Sequence, residues 1–390
     1  MMQLINAFKV KDYAITFVSS ALKNEKSLNL DKLGVSQAEI ELNSSSFNEL
    51  VKILNPDVVL FDRFMTEEQF GWRVEEQCPD ALKILDTEDL HCLRKAREQA
   101  RKYKNPFNKS YLYNETAKRE IASILRCDLS LIISEAEMDI LKNWFKIDDM
   151  LLGYLPFMLE EISQKEQALL PKFDQRNHFI FIGNFLHPPN YDALIHLKKS
   201  IWPRIRQKLP EAELNIYGAY TSQKIDQFHD KKEGLFIKGF TNDVQIAMSK
   251  SRVCLVPLLF GAGLKGKMID AMLYGTPCIT TSIGAEGLFG NFEPNGFISD
   301  DWQNFTENAI HLYTNESVWY EKQKNGFKII NNRFKRSLFE NSLFDRIENL
   351  QTNLNKHRID NFMGSMLRHH TLQSTKYMSK WIEEKNKNKS

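Results

Sequence analysis

The sequence predicts an α/β protein of two doubly wound domains facing each other across a cleft. Three observations predict it. Short β-branched runs alternate with longer amphipathic stretches, the pattern of parallel strands joined by crossover helices. The alternation occurs twice, and a charged, polar stretch at 159–175 separates the two sets. The chain has 390 residues, 42% of them hydrophobic, which is too long for one ordinary core and comfortable for two.

In the first block, 1–160, candidate strands are 14–18, 58–61, 83–85 and 129–133, and 47–54, 89–104 and 115–125 have helical spacing of apolar residues. Asn55-Pro56-Asp57 is a stop signal ahead of a buried strand. The opening departs from the pattern. Met2, Leu4, Ile5 and Phe8 share a helical face, so 1–11 reads as the first helix. The strand and Gly-containing turn expected before that helix are missing. In the second block, 175–334, strands are expected at 179–182, 213–217, 235–237, 253–256 and 277–281, and helices at 191–208, 222–229, 242–249 and 267–274. Residues 335–390 read as a polar helical segment with a lysine-rich end, Lys376, Lys380, Lys385, Lys387 and Lys389. His369 and His370 in this segment have no metal-ligand partners at plausible spacing and read as helix residues.

Charge and cysteines exclude several classes. Lys plus Arg is 52 and Asp plus Glu is 50, a net charge of +2, without the basic bias of a nucleic-acid binder. Cys78, Cys92, Cys127, Cys254 and Cys278 form no Cys-x-x-Cys pair and no zinc spacing with His, so no metal site is expected. Cys254 and Cys278 lie in apolar strand runs and read as small core residues. No run approaches the roughly 18 apolar residues of a membrane span. The first residues lack a signal peptide's apolar core, so the expected location is cytoplasmic.

The most informative stretch is 257–287, PLLFGAGLKGKMIDAMLYGTPCITTSIGAEG, which follows the apolar strand 253–256. Gly261, Gly263 and Gly266 alternate with Lys265 and Lys267, then a helix carries Asp270 and ends at Gly275. Glycines let backbone N–H groups approach a ligand. A helix N-terminus adds partial positive charge and the lysines add full charge. The product is a diphosphate cradle, and Asp270 is placed to accept hydrogen bonds from a ribose diol. Gly-rich turns also join strands to helices in many proteins, so the glycines alone carry little. The whole series carries the reading.

Here the chain resembles the family-4 (group 1) glycosyltransferases, which have the GT-B fold of two Rossmann-like domains. The matching stretches are Phe181-Ile-Gly-Asn184 with Pro189-Asn190-Tyr-Asp192-Ala193, Ile201-Trp-Pro203, Ile216-Tyr-Gly218, Gly239-Phe240 before Asp243-Val244, and 257–287. The first half matches more weakly, at Leu85-Asp-Thr-Glu-Asp-Leu-His91 and Arg126-Cys-Asp-Leu-Ser130. The resemblance implies retaining, metal-independent transfer of a sugar from a nucleotide-sugar donor, with no cofactor. It implies a donor site in the second domain, a glycan, lipid-linked or other acceptor, and a C-terminal segment packing back on the first domain. The lysine-rich end would suit peripheral association with the inner face of a membrane.

The family's E-x7-E motif is not intact. Asp270 stands in the place of the second glutamate, and Gly261-Ala262-Gly263 occupies the place of the first. In relatives with this GAG-x-K-x-K variant, lysines serve the phosphates, which carries Lys265 and Lys267 over as phosphate ligands. Retaining transfer lets the departing diphosphate take the acceptor's proton, so electrostatic stabilisation by Lys265, Lys267 and backbone amides bears most of the chemistry. Asp89 and His91, at a strand's carboxyl end, are the other catalytic candidates. The alternative is that 86–89 caps the helix that follows. Gly183, Asn184, Gly218 and Glu286 follow strand ends and complete the expected donor-binding set, though capping or turn roles suit each of them.

Two competing readings remain. The missing strand and incomplete glutamate pair suit a catalytically inactive binding or scaffold protein of the same fold. A nucleotide-cofactor oxidoreductase is set aside for want of a strand-linked G-x-G-x-x-G with an acid about twenty residues on.

Overall fold

The computed structural model describes residues 1–22, 27–220 and 223–387. Two compact units make up the chain. The first comprises Met1–Cys92, Tyr113–Phe157 and Phe339–Ser390, and the second Leu93–Leu112 and Met158–Leu338. The expected blocks 1–160, 175–334 and 335–390 differ from this grouping most clearly at Leu93–Leu112, which belongs with the second unit.

The first unit holds strands β1 (Thr16–Ser19), β2 (Ser36–Glu39), β3 (Val58–Asp62), β4 (Leu82–Asp86), β5 (Leu129–Ile132) and β6 (Leu152–Tyr154). They form two sheets, a parallel β1-β2 pair and a parallel sheet in the order β3-β4-β5-β6. Both faces of β4 and β5 are covered, which explains their near-continuous apolar sequence. The helix Met2–Val10 precedes β1 and buries Leu4, Ile5, Ala7 and Phe8; of the face read from the sequence, Leu4, Ile5 and Phe8 are buried and Met2 is only half-buried. Ile5 packs with Leu30 and Val35 beneath β1 and β2.

The C-terminal helices Glu340–Thr352, Leu354–Asp360 and Phe362–Lys387 belong to this unit. Arg358 fixes them to β5 by gripping the buried Asp128 carboxylate through Nε and Nη2, both at 2.8 Å. Lys389 lies outside the described residues.

The second unit holds β7 (Asn177–Ile182), β8 (Leu214–Tyr217), β9 (Leu235–Gly239), β10 (Ser251–Val256), β11 (Cys278–Thr280) and β12 (Gly296–Ile298). All are parallel, in the order β12-β11-β10-β7-β8-β9. Strand order reverses between β7 and β10, and such reversals open a crevice at the carboxyl ends where ligands bind. Cys254 and Cys278 are buried free thiols on neighbouring strands. The buried Arg176 ties β10 to the turn before β11, through Thr276 Oγ1 and the Tyr274 carbonyl, both at 2.8 Å. Of the expected helix 222–229, Gln223–Asp226 is helical and residue 222 lies outside the described residues.

Candidate functional site

The carboxyl ends of β7 and β10 bring the sequence-marked loops together. After β10 the chain runs through Phe260–Leu264, all buried, into the helix Gly266–Leu273. Gly263 has φ +63°, a left-handed conformation that a side chain would strain. Gly261 also has positive φ, at +153°. Lys265 is the N-cap of that helix and is only 8% exposed. Its ammonium group folds back and donates to the carbonyls of Gly263 at 2.5 Å and Ala262 at 3.1 Å.

Lys267 points the other way, toward β7. Its Nζ donates to Asn190 Oδ1 at 2.6 Å and lies 4.5 Å from the centre of the Phe181 ring. Burial of the ammonium group, helped by the positive charge of Lys265, drives its pKa from 10.5 down to about 7. Asn190 in turn donates from Nδ2 to the Asn184 carbonyl at 2.8 Å. Gly183 sits beside this pair. A Cβ there would come within 2.8 Å of the Asn190 amide and 2.9 Å of Lys267 Nζ, so no larger residue fits without movement. Gly218, past the end of β8, is as tightly held, since a Cβ would lie 2.2 Å from the Gly183 carbonyl oxygen. The Asn184 side chain accepts from the Leu186 N–H at 2.9 Å, a loop-closing bond.

Asp270 is half-buried one turn into the helix Gly266–Leu273. Burial raises its pKa from 3.8 to about 6. Among the described residues its carboxylate has no hydrogen-bond or ion-pair partner. A half-buried, unpaired carboxylate is costly to leave dry, and a ligand hydroxyl is the usual way such a group is satisfied.

Glu286 is not open to a ligand in this structure. Arg97 grips it with two nitrogens, at 2.6 and 2.8 Å, and the same guanidinium donates to the Gly261 carbonyl at 2.8 Å. One helical turn later Arg101 pairs with Asp192 at 3.2 Å and contacts His196 Nε2 at 2.7 Å. Sequence reasoning missed Arg97 and Arg101, and it quoted Asn190 in a matching stretch without giving it a role. The two arginines share a helix face at i and i+4, but nothing local says which loop they meet.

The letters G-x-G-x-x-G do occur, at Gly261, Gly263 and Gly266, with Glu286 twenty residues further on. This corrects the expectation that the pattern was missing. It follows the fourth strand of the unit rather than the first, and its acid is occupied by Arg97.

Asp89 and His91 belong to the first unit. Asp89 Oδ1 lies 3.3 Å from His91 Nε2, and both side chains are mostly covered. The His91 ring meets Phe64 edge-on at 5.5 Å. The proposed cap at 86–89 takes another form. The amides of His91 and Cys92 donate to Glu120 at 2.9 and 2.8 Å, and the Leu90 amide to Glu137 at 2.9 Å. These two glutamates, far along the chain and fully buried, satisfy the helix start instead. Asp86 accepts from the Glu88 amide at 3.3 Å, and burial followed by the charge of Glu88 raises its pKa to about 6. Among the described residues no three His, Cys, Asp or Glu side chains gather as a metal site, and no helix is long and apolar enough to cross a membrane.

Residues 176–315 match the family described as glycosyl transferases group 1. This stretch is similar to the group 1 glycosyltransferases. The fold agrees over most of the chain. It superposes on S. aureus TarM in complex with fondaparinux, α-GlcNAc-glycerol and UDP with a TM-score of 0.59, at 14% identity, covering 77% of this chain and 58% of that one. On Anabaena HepE in complex with UDP and glucose the TM-score is 0.63, at 14% identity, covering 89% of this chain and 95% of that one. Likeness at this identity establishes the GT-B fold. In sequence, the chain is similar to an uncharacterised 44.6 kDa protein of the Klebsiella pneumoniae cps region, 28% identical over 181 residues. That match covers 44% of this chain and 47% of the relative, about half its length.

Proposed function

We propose that the chain is a glycosyltransferase that binds a nucleotide-sugar at the carboxyl ends of β7 and β10 and passes the sugar to a glycan or lipid-linked acceptor. The observation that carries this reading is the pairing of opposite chemistries on one helix. Lys267 offers an enclosed ammonium group, and Asp270, one turn on, an unpaired carboxylate. A diphosphate suits the first and a ribose diol the second.

In this reading Lys265, Lys267 and the amides of Gly261 and Gly263 stabilise the departing diphosphate, with retention at the sugar carbon and no metal or cofactor. Lys265 must exchange its loop carbonyls for phosphate oxygens. Gly183 and Gly218 leave room for the donor, and Asn184 shapes the loop around it. Asp89 and His91 serve the acceptor side. Glu286 reaches the sugar only after Arg97 lets go. The enzyme works in the cytoplasm, attached peripherally to the inner membrane face when the acceptor is lipid-linked.

TarM and HepE carry UDP in their complexes, so UDP is the first ligand to try. The test is thermal shift against UDP, GDP and ADP and their sugars, followed by an assay for nucleoside diphosphate release. A ligand that binds only the native state raises Tm. A shift with release supports the transferase. A shift without release under any acceptor supports the inactive scaffold, for which the split sheet of the first unit speaks. No shift with any nucleotide removes the transferase and favours the scaffold.

A further inference from the structure

The helix Phe362–Lys387 is fastened to the first unit along one side, and among the described residues its other side carries exposed apolar side chains. On the fastened side Arg368 Nη1 donates to the Arg126 carbonyl at 3.1 Å, Lys376 pairs with Glu76, and Ser379 Oγ donates to Asn43 Oδ1 at 3.0 Å. On the bare side Met363, Met366, Tyr377, Met378 and Trp381 are 53, 39, 62, 59 and 59% exposed. At 100° per residue, Met363, Tyr377 and Trp381 fall within about 40° of one line along the helix, and Met366 and Met378 flank it by about 60°. The buried Arg368 and Ser379 lie roughly opposite. Met363 and Met366 form one exposed apolar group and Tyr377, Met378 and Trp381 a second, larger one, with exposed His370 and Ser374 between them on the same line.

The charges select what covers this face. Beyond the fastened Arg368 and Lys376, the cations Lys380, Lys385 and Lys387 stand against Glu383 and Glu384, a net +1. Lys385 lies 4.9 Å above the Trp381 ring, Lys380 is exposed beside it, and Glu384 is tied to Lys387. Tyr and Trp rings favour the boundary between headgroups and acyl chains, and lysines beside them meet anionic headgroups. Methionine adapts to an irregular apolar layer. A helix of this composition lies in the interface plane rather than spanning it.

We propose that the exposed face of helix Phe362–Lys387 docks the protein on an anionic lipid bilayer. The proposal gives a surface to the peripheral attachment named above and rests on that attachment, not on sugar transfer. Its test is flotation of the full chain with vesicles of phosphatidylcholine, with and without phosphatidylglycerol. The expected result is flotation only with phosphatidylglycerol, weakened by salt. Tyr377→Ser/Met378→Ser/Trp381→Ser and, separately, Lys380→Glu/Lys385→Glu should each lower binding about tenfold or more. Both variants should keep the parent's circular dichroism and its Tm shift with UDP, so failure of docking and failure of donor binding are read apart. A parent that does not float overturns the proposal. So does flotation unchanged in both variants, or a parent dimer that the apolar variant dissolves without any vesicle binding.

Discussion

Lys267 and Asn190 meet where the strand order of the second unit reverses, Nζ donating to Oδ1 at 2.6 Å. The lysine comes from the helix after β10 and the asparagine from the helix after β7, so one bond closes the crevice from both sides. With its pKa near 7, Lys267 is mostly neutral at pH 8. A diphosphate beside it favours the charged form and raises that pKa. Binding of UDP at pH 8, where the terminal phosphate is already ionised, should therefore take up a proton. Calorimetry in buffers of different ionisation enthalpy measures it directly. Lys267→Met should abolish the uptake and weaken binding by tenfold or more, about 1.4 kcal/mol. Binding without buffer dependence at pH 8 would put the phosphate elsewhere.

Asp270 predicts the opposite pH limb. Its carboxyl is protonated below about pH 6, and a protonated carboxyl accepts weakly from a ribose diol. UDP affinity should fall as pH drops through about 6. Asp270→Asn should bind more weakly at pH 7 and lose that limb. The same variant should not lose stability, because the unliganded fold gains nothing from a desolvated charge without a partner. An unchanged pH profile in Asp270→Asn would separate the residue from the nucleotide.

Arg97 is held between a side chain and a backbone carbonyl, so its loss has two costs. Arg97→Ala leaves the Glu286 carboxylate and the Gly261 carbonyl without this donor. Both are partly covered, and the expected loss is about 2 kcal/mol in denaturant unfolding. Adding Glu286→Ala should recover part of it, because the stranded charge goes too. A double-mutant cycle with coupling near zero would make the ion pair a surface ornament.

The sequence showed most of the second unit because its strands are buried on both faces and read as plain apolar runs, as in Phe179–Phe181 and Val253–Val256. The glycines and lysines of 257–287 were legible for the same local reason. Other features were not. β2 has the sequence SQAE, with no apolar run to mark it, and β6 is only three residues long. Arg97 meets Glu286 across 189 residues of sequence, a distance that no local periodicity encodes. Asp270 could be named from its motif, but its lack of a partner is a property of the packed chain. The inward fold of Lys265 onto its own carbonyls depends on the turn geometry that Gly261 and Gly263 permit.

Glu120 is the clearest case of a function carried by a distant residue, and it sets a pH dependence of its own. Its two oxygens accept from the amides of His91 and Cys92, and burial raises its pKa from 4.5 to about 7. The folded state therefore holds a proton that the unfolded state has released between about pH 4.5 and 7. Stability falls with rising pH wherever the native state binds more protons, so this contribution is full below pH 4.5 and lost as pH rises through about 7. Glu120→Gln keeps the shape and one acceptor while removing the titration. Its Tm should sit below the parent's at pH 5, and the gap should narrow by pH 8. Glu120→Ala should lose more at every pH, since both helix-start amides then lose their bonds to Glu120, at roughly 1–3 kcal/mol each. Thermal unfolding of the three proteins from pH 5 to pH 8 decides it. A gap between parent and Glu120→Gln that is constant across that range would mean Glu120 carries an ordinary charge and the helix start at His91 is not held by a titrating group.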